Sequence, residues 1–82
     1  MKVRAVFYGG LRQDTGVREE LVEVAQDQLS VEELVAVLTM RFPALGSRLR
    51  AVAFVVNDTI VGPGYILADG DEAGLLPPVS GG

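Results

Sequence analysis

The 82-residue sequence contains no cysteine. Disulfides, thiol nucleophiles and thiolate-bound metals are therefore excluded. It contains no histidine either, which excludes Ser–His triads, Cys–His pairs and His-ligated zinc. With both common catalytic side chains missing, a self-sufficient hydrolase or redox enzyme is not expected. Positive charge is also scarce. Seven Lys and Arg against eleven Asp and Glu leave a net charge of −4. Such a chain repels phosphate backbones, so no nucleic-acid binding through counterion release is expected. The basic residues are scattered arginines and a single lysine, Lys2, with no cluster suited to anionic lipid. Long apolar runs are absent too. The longest, Ala51 to Val56, is far too short to span a bilayer. Met1-Lys2-Val3-Arg4 alternates charged and apolar residues and lacks the apolar core of a signal peptide. These absences predict a cytoplasmic domain that engages no membrane.

What is present is globular: 49% of residues are hydrophobic and 22% charged, away from the composition of disordered chains. The length fits one domain, which at this size hides only about 60% of its unfolded surface. Residues 1 to 8 read as a strand, with Val3, Ala5 and Phe7 on one face and Arg4, Val6 and Tyr8 on the other. Apolar residues on both faces suit a central position. Gly9-Gly10 and Asp14-Thr15-Gly16 are turn signals. They leave an irregular loop or a short helical turn through Leu11 and Arg12, of which the loop is expected. Residues 18 to 25 read as a second, less regular strand.

Ser30-Val31-Glu32-Glu33 is a capping box, with Leu29 and Leu34 placed for a hydrophobic staple. Val31, Leu34, Val35, Leu38 and Phe42 follow at helical spacing, and Pro43 ends the helix. Residues 44 to 50 form a connector, with room for one helical turn. The run Ala51 to Val56 suits a strand buried on both sides. Asn57-Asp58 is a turn pair before a short strand, Thr59-Ile60-Val61. Asp69-Gly70-Asp71 is a turn before a last strand, Glu72 to Leu76, which Pro77-Pro78 closes. Strands gathered around one helix argue an α+β fold, a sheet with the helix across one face.

Few residues offer chemistry. Asp69, Asp71 and Glu72 cluster as a divalent cation site or an acid–base pair would, but Asp-Gly-Asp is also turn composition, and the turn is the expected reading. Glu19, Glu20 and Glu23 suit a solvated strand face. Gly9-Gly10 lacks both phosphate-loop patterns. The end of the chain stands apart: Leu75-Leu76-Pro77-Pro78-Val79-Ser80-Gly81-Gly82. Two glycines pack nothing and fray readily. Without side chains they can thread a narrow channel into another protein, presenting the Gly82 carboxylate as the reactive group. The diproline before them is stiff and extended and would hold the tail off the body. These features describe a carrier rather than an enzyme.

Three stretches resemble a known family. They are Phe7-Tyr8-Gly9-Gly10-Leu11-Arg12-Gln13-Asp14-Thr15-Gly16, then Val56-Asn57-Asp58-Thr59-Ile60-Val61, then Asp69-Gly70-Asp71-Glu72 running to Pro77-Pro78-Val79-Ser80-Gly81-Gly82. The whole chain resembles the ubiquitin-like sulfur carriers of the β-grasp fold, and among them the small subunits of molybdopterin synthase. The terminal Pro-Pro-Val-Ser-Gly-Gly is the most specific element. Many relatives carry aromatic residues before the diproline, where this chain has Leu75-Leu76.

The resemblance implies a β-grasp domain over residues 1–78, with a mixed sheet, one main helix and a flexible Gly-Gly tail over 79–82. It implies that an ATP-dependent E1-like activating enzyme adenylates Gly82 and that sulfur then converts it to a thiocarboxylate. Val79, Ser80 and Gly81 would thread into the large subunit of a heterotetrameric molybdopterin synthase. There the sulfur passes to cyclic pyranopterin monophosphate. The chain would bind no cofactor or metal itself, ATP being used by the activating enzyme, and the catalytic residues would belong to the large subunit. Strand alternation places Tyr8, Ile60 and Leu76 on the non-core face as a docking patch. Arg12 either pairs with an acidic partner or caps its own loop. Other readings are a carrier for thiamine, cysteine or tRNA thiolation, a protein modifier conjugated through Gly82, and a plain interaction domain.

Overall fold

In the computed structural model, which describes residues 1–78, strand β1 (Lys2–Phe7) follows its period of two. Val3, Ala5 and Phe7 are buried, Lys2 and Arg4 exposed and Val6 half-buried. β1 pairs antiparallel with β2 (Glu19–Glu23) and parallel with β7 (Glu72–Leu76). β7 pairs antiparallel with β4 (Ala53–Val56), and β4 with β5 (Thr59–Val61). The sheet order is β2-β1-β7-β4-β5. β1 is thus an interior strand, as its two apolar faces suggest, but the central strand is the last one. Asn57 and Asp58 join β4 to β5 with φ of 52° and 63°, the conformation of a tight hairpin turn that matches strand twist.

Helix α2 (Val31–Arg41) crosses one face of this sheet and completes the β-grasp arrangement. Its capping box is formed. The Glu33 amide donates to Ser30 Oγ at 3.0 Å and the Ser30 amide donates to Glu33 Oε1 at 2.9 Å. Val31, Leu34 and Leu38 share the buried stripe. Phe42 then meets Phe7 edge-on, with ring centroids 5.7 Å apart. Pro43 opens a 3-10 segment (Pro43–Ala51), kinked at Gly46, that buries Leu45 and Leu49.

Several expectations are corrected. Residues 9 to 16 are not an irregular loop: α1 (Leu11–Thr15) starts at Gly10 and stops at Gly16, whose φ of 77° lets its amide donate to the Arg12 carbonyl at 2.8 Å. Fully buried Leu11 anchors it. The run Ala51 to Val56 is not buried on both sides. Phe54 and Val56 face the core, while Ala53 and Val55 are half-buried on the face that no helix covers. Leu29 does more than staple a helix. In β3 (Leu29–Ser30) it pairs with Leu67 of β6 (Ile66–Leu67), a second sheet of two short strands.

The Asp69–Asp71 cluster is a turn. Asp69 Oδ1 accepts from the Lys2 amide at 2.7 Å, Asp71 Oδ2 accepts from the Ala68 amide at 2.8 Å, and Gly70 has φ of 87°. Among the described residues no group of three His, Cys, Asp or Glu could hold a metal ion. No helix among them is long and apolar enough to cross a membrane.

Two substitutions rank these contributions. Ser30→Ala removes half of the capping box and is expected to cost about 1 kcal/mol. Leu75→Ala empties a fully buried site on the central strand and is expected to cost about 3 kcal/mol. Urea unfolding of both variants checks the order; an equal or reversed cost contradicts it.

Candidate functional site

β7 is the central strand and hands the chain to Pro77 and Pro78, the last described residues. The tail therefore leaves from the middle of the sheet, at the carboxyl end of β7. Since β1 runs parallel to β7, the end of β1 lies there too. Tyr8 continues β1, and its amide donates to the Leu75 carbonyl at 3.3 Å.

Tyr8 is fixed from two sides. Its ring lies over Gly74: a Cβ there would stand 3.2 Å from Tyr8 Cε2. On the other side the Arg12 guanidinium sits 5.9 Å from the ring centroid, within cation–π range. Arg12 Nε also donates to the Phe7 carbonyl at 3.0 Å. Of the two roles open for Arg12, its own turn is thus one it performs. The start of the stalk is also held. Gly9 has φ of +58°, and a Cβ on it would stand 3.1 Å from Pro77 Cγ. Pro77 is half-buried and Pro78 exposed, so the diproline begins in contact with the body rather than clear of it.

The sheet register decides which sequence-predicted docking residues meet. Val6 lies opposite Gly74, Gly74 opposite Val55, and Val55 opposite Ile60. Leu76 lies opposite Ala53 on the same face. Tyr8 and Leu76, each 38% exposed, therefore flank the exit of the tail. Ile60 is 71% exposed on that face but two strands away on the sheet edge, joined to them through half-buried Val55. A shallow depression of about 190 Å³ lies between Tyr8, Val55, Gly74 and Leu76.

Sequence reasoning missed Gly74, although glycine inside a buried strand is itself a signal of close approach. It also missed Leu21, exposed on the same face opposite Arg4, and the Asp14–Arg48 ion pair at 3.3 Å that ties α1 to the 3-10 segment. Val79, Ser80, Gly81 and Gly82 lie outside the described residues. The described face holds apolar surface and no pairing of nucleophile with base, so its chemistry is recognition.

The sequence matches the ThiS family over residues 5–82. The chain belongs to this family. Among ThiS-like relatives, the molybdopterin synthase sulfur carrier subunit of Mycobacterium tuberculosis is 37% identical, with 100% of this chain and 99% of that protein covered. SAMP1, the small archaeal modifier protein 1 of Haloferax volcanii, superposes with a TM-score of 0.89 at 28% identity over the whole of both chains. In the complex of subunits 1 and 2 of the molybdopterin-converting factor from Helicobacter pylori, one chain superposes with a TM-score of 0.73 at 29% identity, again with both chains fully covered. These likenesses span the whole ThiS-family chain, so the β-grasp assignment covers the face and the exit described above.

Gly9→Ala tests the hold on the stalk. It places a Cβ in the left-handed region and against Pro77, which is expected to cost about 1–2 kcal/mol. Gly16→Ala carries the same backbone penalty with open space around it and should cost less. Denaturant midpoints that fail to separate the two would show that the Gly9–Pro77 contact contributes nothing.

Proposed function

We propose that this chain is the sulfur carrier subunit of a molybdopterin synthase. The observation that carries the reading is the placement of the tail. The central strand delivers Pro77-Pro78 beside an exposed apolar platform of Tyr8 and Leu76, and the sequence continues to Gly81-Gly82. A full-length relative bears that name, and a superposing structure contains both subunits of a molybdopterin-converting factor.

In this reading residues 1–78 are the body and residues 79–82 the working tail. An E1-like enzyme activates the Gly82 carboxylate: a carboxylate oxygen attacks the α-phosphorus of ATP and pyrophosphate leaves. A sulfur donor then displaces AMP and leaves a thiocarboxylate. The body docks on the large subunit through Tyr8, Leu76 and Ile60. Val79, Ser80 and Gly81 pass the thiocarboxylate into the large subunit's site, where its sulfur goes to cyclic pyranopterin monophosphate. The chain itself contributes binding area and a leaving sulfur. It binds no cofactor, and ATP is held by the activating enzyme.

A second reading, protein modification through Gly82, is favoured by the likeness to a small archaeal modifier protein. One experiment separates the two. The chain is incubated with ATP, its cognate activating enzyme and a sulfur donor, and the carboxy-terminal peptide is weighed. A sulfur-for-oxygen exchange confined to Gly82, followed by sulfur transfer when the large subunit and precursor are added, is expected. An unmodified terminus sinks the carrier reading. Conjugates to lysine of other proteins, in place of sulfur transfer, would support the modifier.

Docking is tested separately. Tyr8→Ala should weaken binding to the large subunit about tenfold, a loss of about 1.4 kcal/mol. Its stability should change by no more than about 1 kcal/mol. Titration calorimetry beside urea unfolding reads both, and unchanged affinity would remove Tyr8 from the interface.

A further inference from the structure

The arginines of this acidic chain are not evenly placed. At the tail exit, Gly9 packs against Pro77. On one side of it Tyr8, Arg12 and Arg18 border a common groove. On the other, a Cβ on Gly10 would stand 3.3 Å from Arg48 Nη1, and Arg48 borders the groove that ends at Pro77 and Pro78. Topology places the rest. β2 and β4 run antiparallel to their neighbours, so their starts, Arg18-Glu19 and the 3-10 segment with Arg48 and Arg50, lie at the exit end. The Arg18 carbonyl accepts from the Phe7 amide at 2.9 Å, which fixes it there.

Residues 8–19 and 43–52 therefore form the exit end. They hold four arginines and two carboxylates, Asp14 and Glu19. The remaining residues hold nine carboxylates and three cations. The exit end thus has a surplus of two positive charges and the remainder a deficit of six. The two carboxylates at the exit are engaged: Asp14 lies 3.3 Å from Arg48 and Glu19 lies 3.8 Å from Arg4. Among the described residues Arg12, Arg18 and Arg50 have no carboxylate within 4.0 Å. All three are exposed. Isolated surface charges do little for stability. A dipole with its positive pole at the tail acts at a distance instead, orienting the chain tail-first toward a negative surface.

The charge geometry points to a receiving protein whose surface is acidic around the mouth that takes the tail, with Arg18 and Arg50 facing its carboxylates. This rests on the tail-delivery reading above and adds the chemistry of the partner's rim. A nucleic acid is disfavoured as the occupant because the rest of the chain repels phosphate.

The test is the association rate of the full chain with its cognate large subunit at about 0.01 M and about 1 M salt, where the screening length is roughly 30 Å and 3 Å. The Arg18→Glu/Arg50→Glu double variant should associate at least about tenfold more slowly at low salt, with the difference gone at high salt and dissociation little changed. The Arg18→Ala/Arg50→Ala pair should fall between it and the unaltered chain, which guards against a folding defect in the reversal. Reversal at the other pole, Glu23→Arg/Asp27→Arg, should not slow association. Equal rates for the exit reversal and the unaltered chain overturn the inference. So does equal slowing by the two reversals. Binding of a single-stranded oligonucleotide that the exit reversal abolishes would reassign the arginines to polyanions and overturn it as well. If the unaltered chain fails to bind the large subunit at either salt concentration, the carrier reading itself falls, and this inference with it.

Discussion

The parallel pairing of the first strand with the last is the contact on which the rest depends. It sets Phe7 opposite Leu75 and Ala5 opposite Ala73, all fully buried. Nearly seventy residues separate each pair, so the intervening chain must close a long loop before the contact forms. Once formed, it leaves β7 flanked by β1 and β4. Each feature of the exit follows from that register. Tyr8 reaches Leu75 because it continues β1, its ring covers Gly74 because that residue lacks a side chain, and Gly9 meets Pro77 at the next step. A slip by one residue would turn the core face outward and separate the docking patch from the tail.

The open face of the sheet carries competing demands. It must stay apolar enough to bind and polar enough not to self-associate. Arg4 lies between Glu19 and Glu72 at 3.8 and 3.6 Å, all three largely exposed. Such pairs add little stability. They place charge on the sheet beside Leu21 and limit the apolar area to the Tyr8, Leu76 and Ile60 side, in the way edge strands carry charge to discourage stacking.

The elements that could be read from sequence are those in which a local pattern and the tertiary environment agree. β1 alternates because one face meets the helix, and Ser30 and Glu33 satisfy each other within four residues. Tyr8, Leu76 and Ile60 were placed on the right face by the same alternation. What escaped depends on non-local information. The five residues of α1 are too few to show a period, and β3 and β6 have two residues each. The run at Ala51–Val56 does not reveal which side the helix will cover. Gly74 reads as a weakness in a strand until Tyr8 is seen above it. The Arg12 guanidinium finds the Tyr8 ring only because a helical turn replaces a loop. The role of Gly82 comes from composition and resemblance, with no local structure behind it.

The contact between Gly9 and Pro77 also makes the protein a ruler. With Pro77 held against the body, Gly82 is five residues beyond a fixed point. Five residues span at most about 17 Å when fully extended. Any centre that reacts at Gly82 must come within that distance of Gly9 while the body stays folded, so the depth of the receiving channel is bounded from this side. A deeper channel would have to draw Pro77 off the surface, and a much shallower one would leave slack and lose the gain in effective concentration that a taut tether provides.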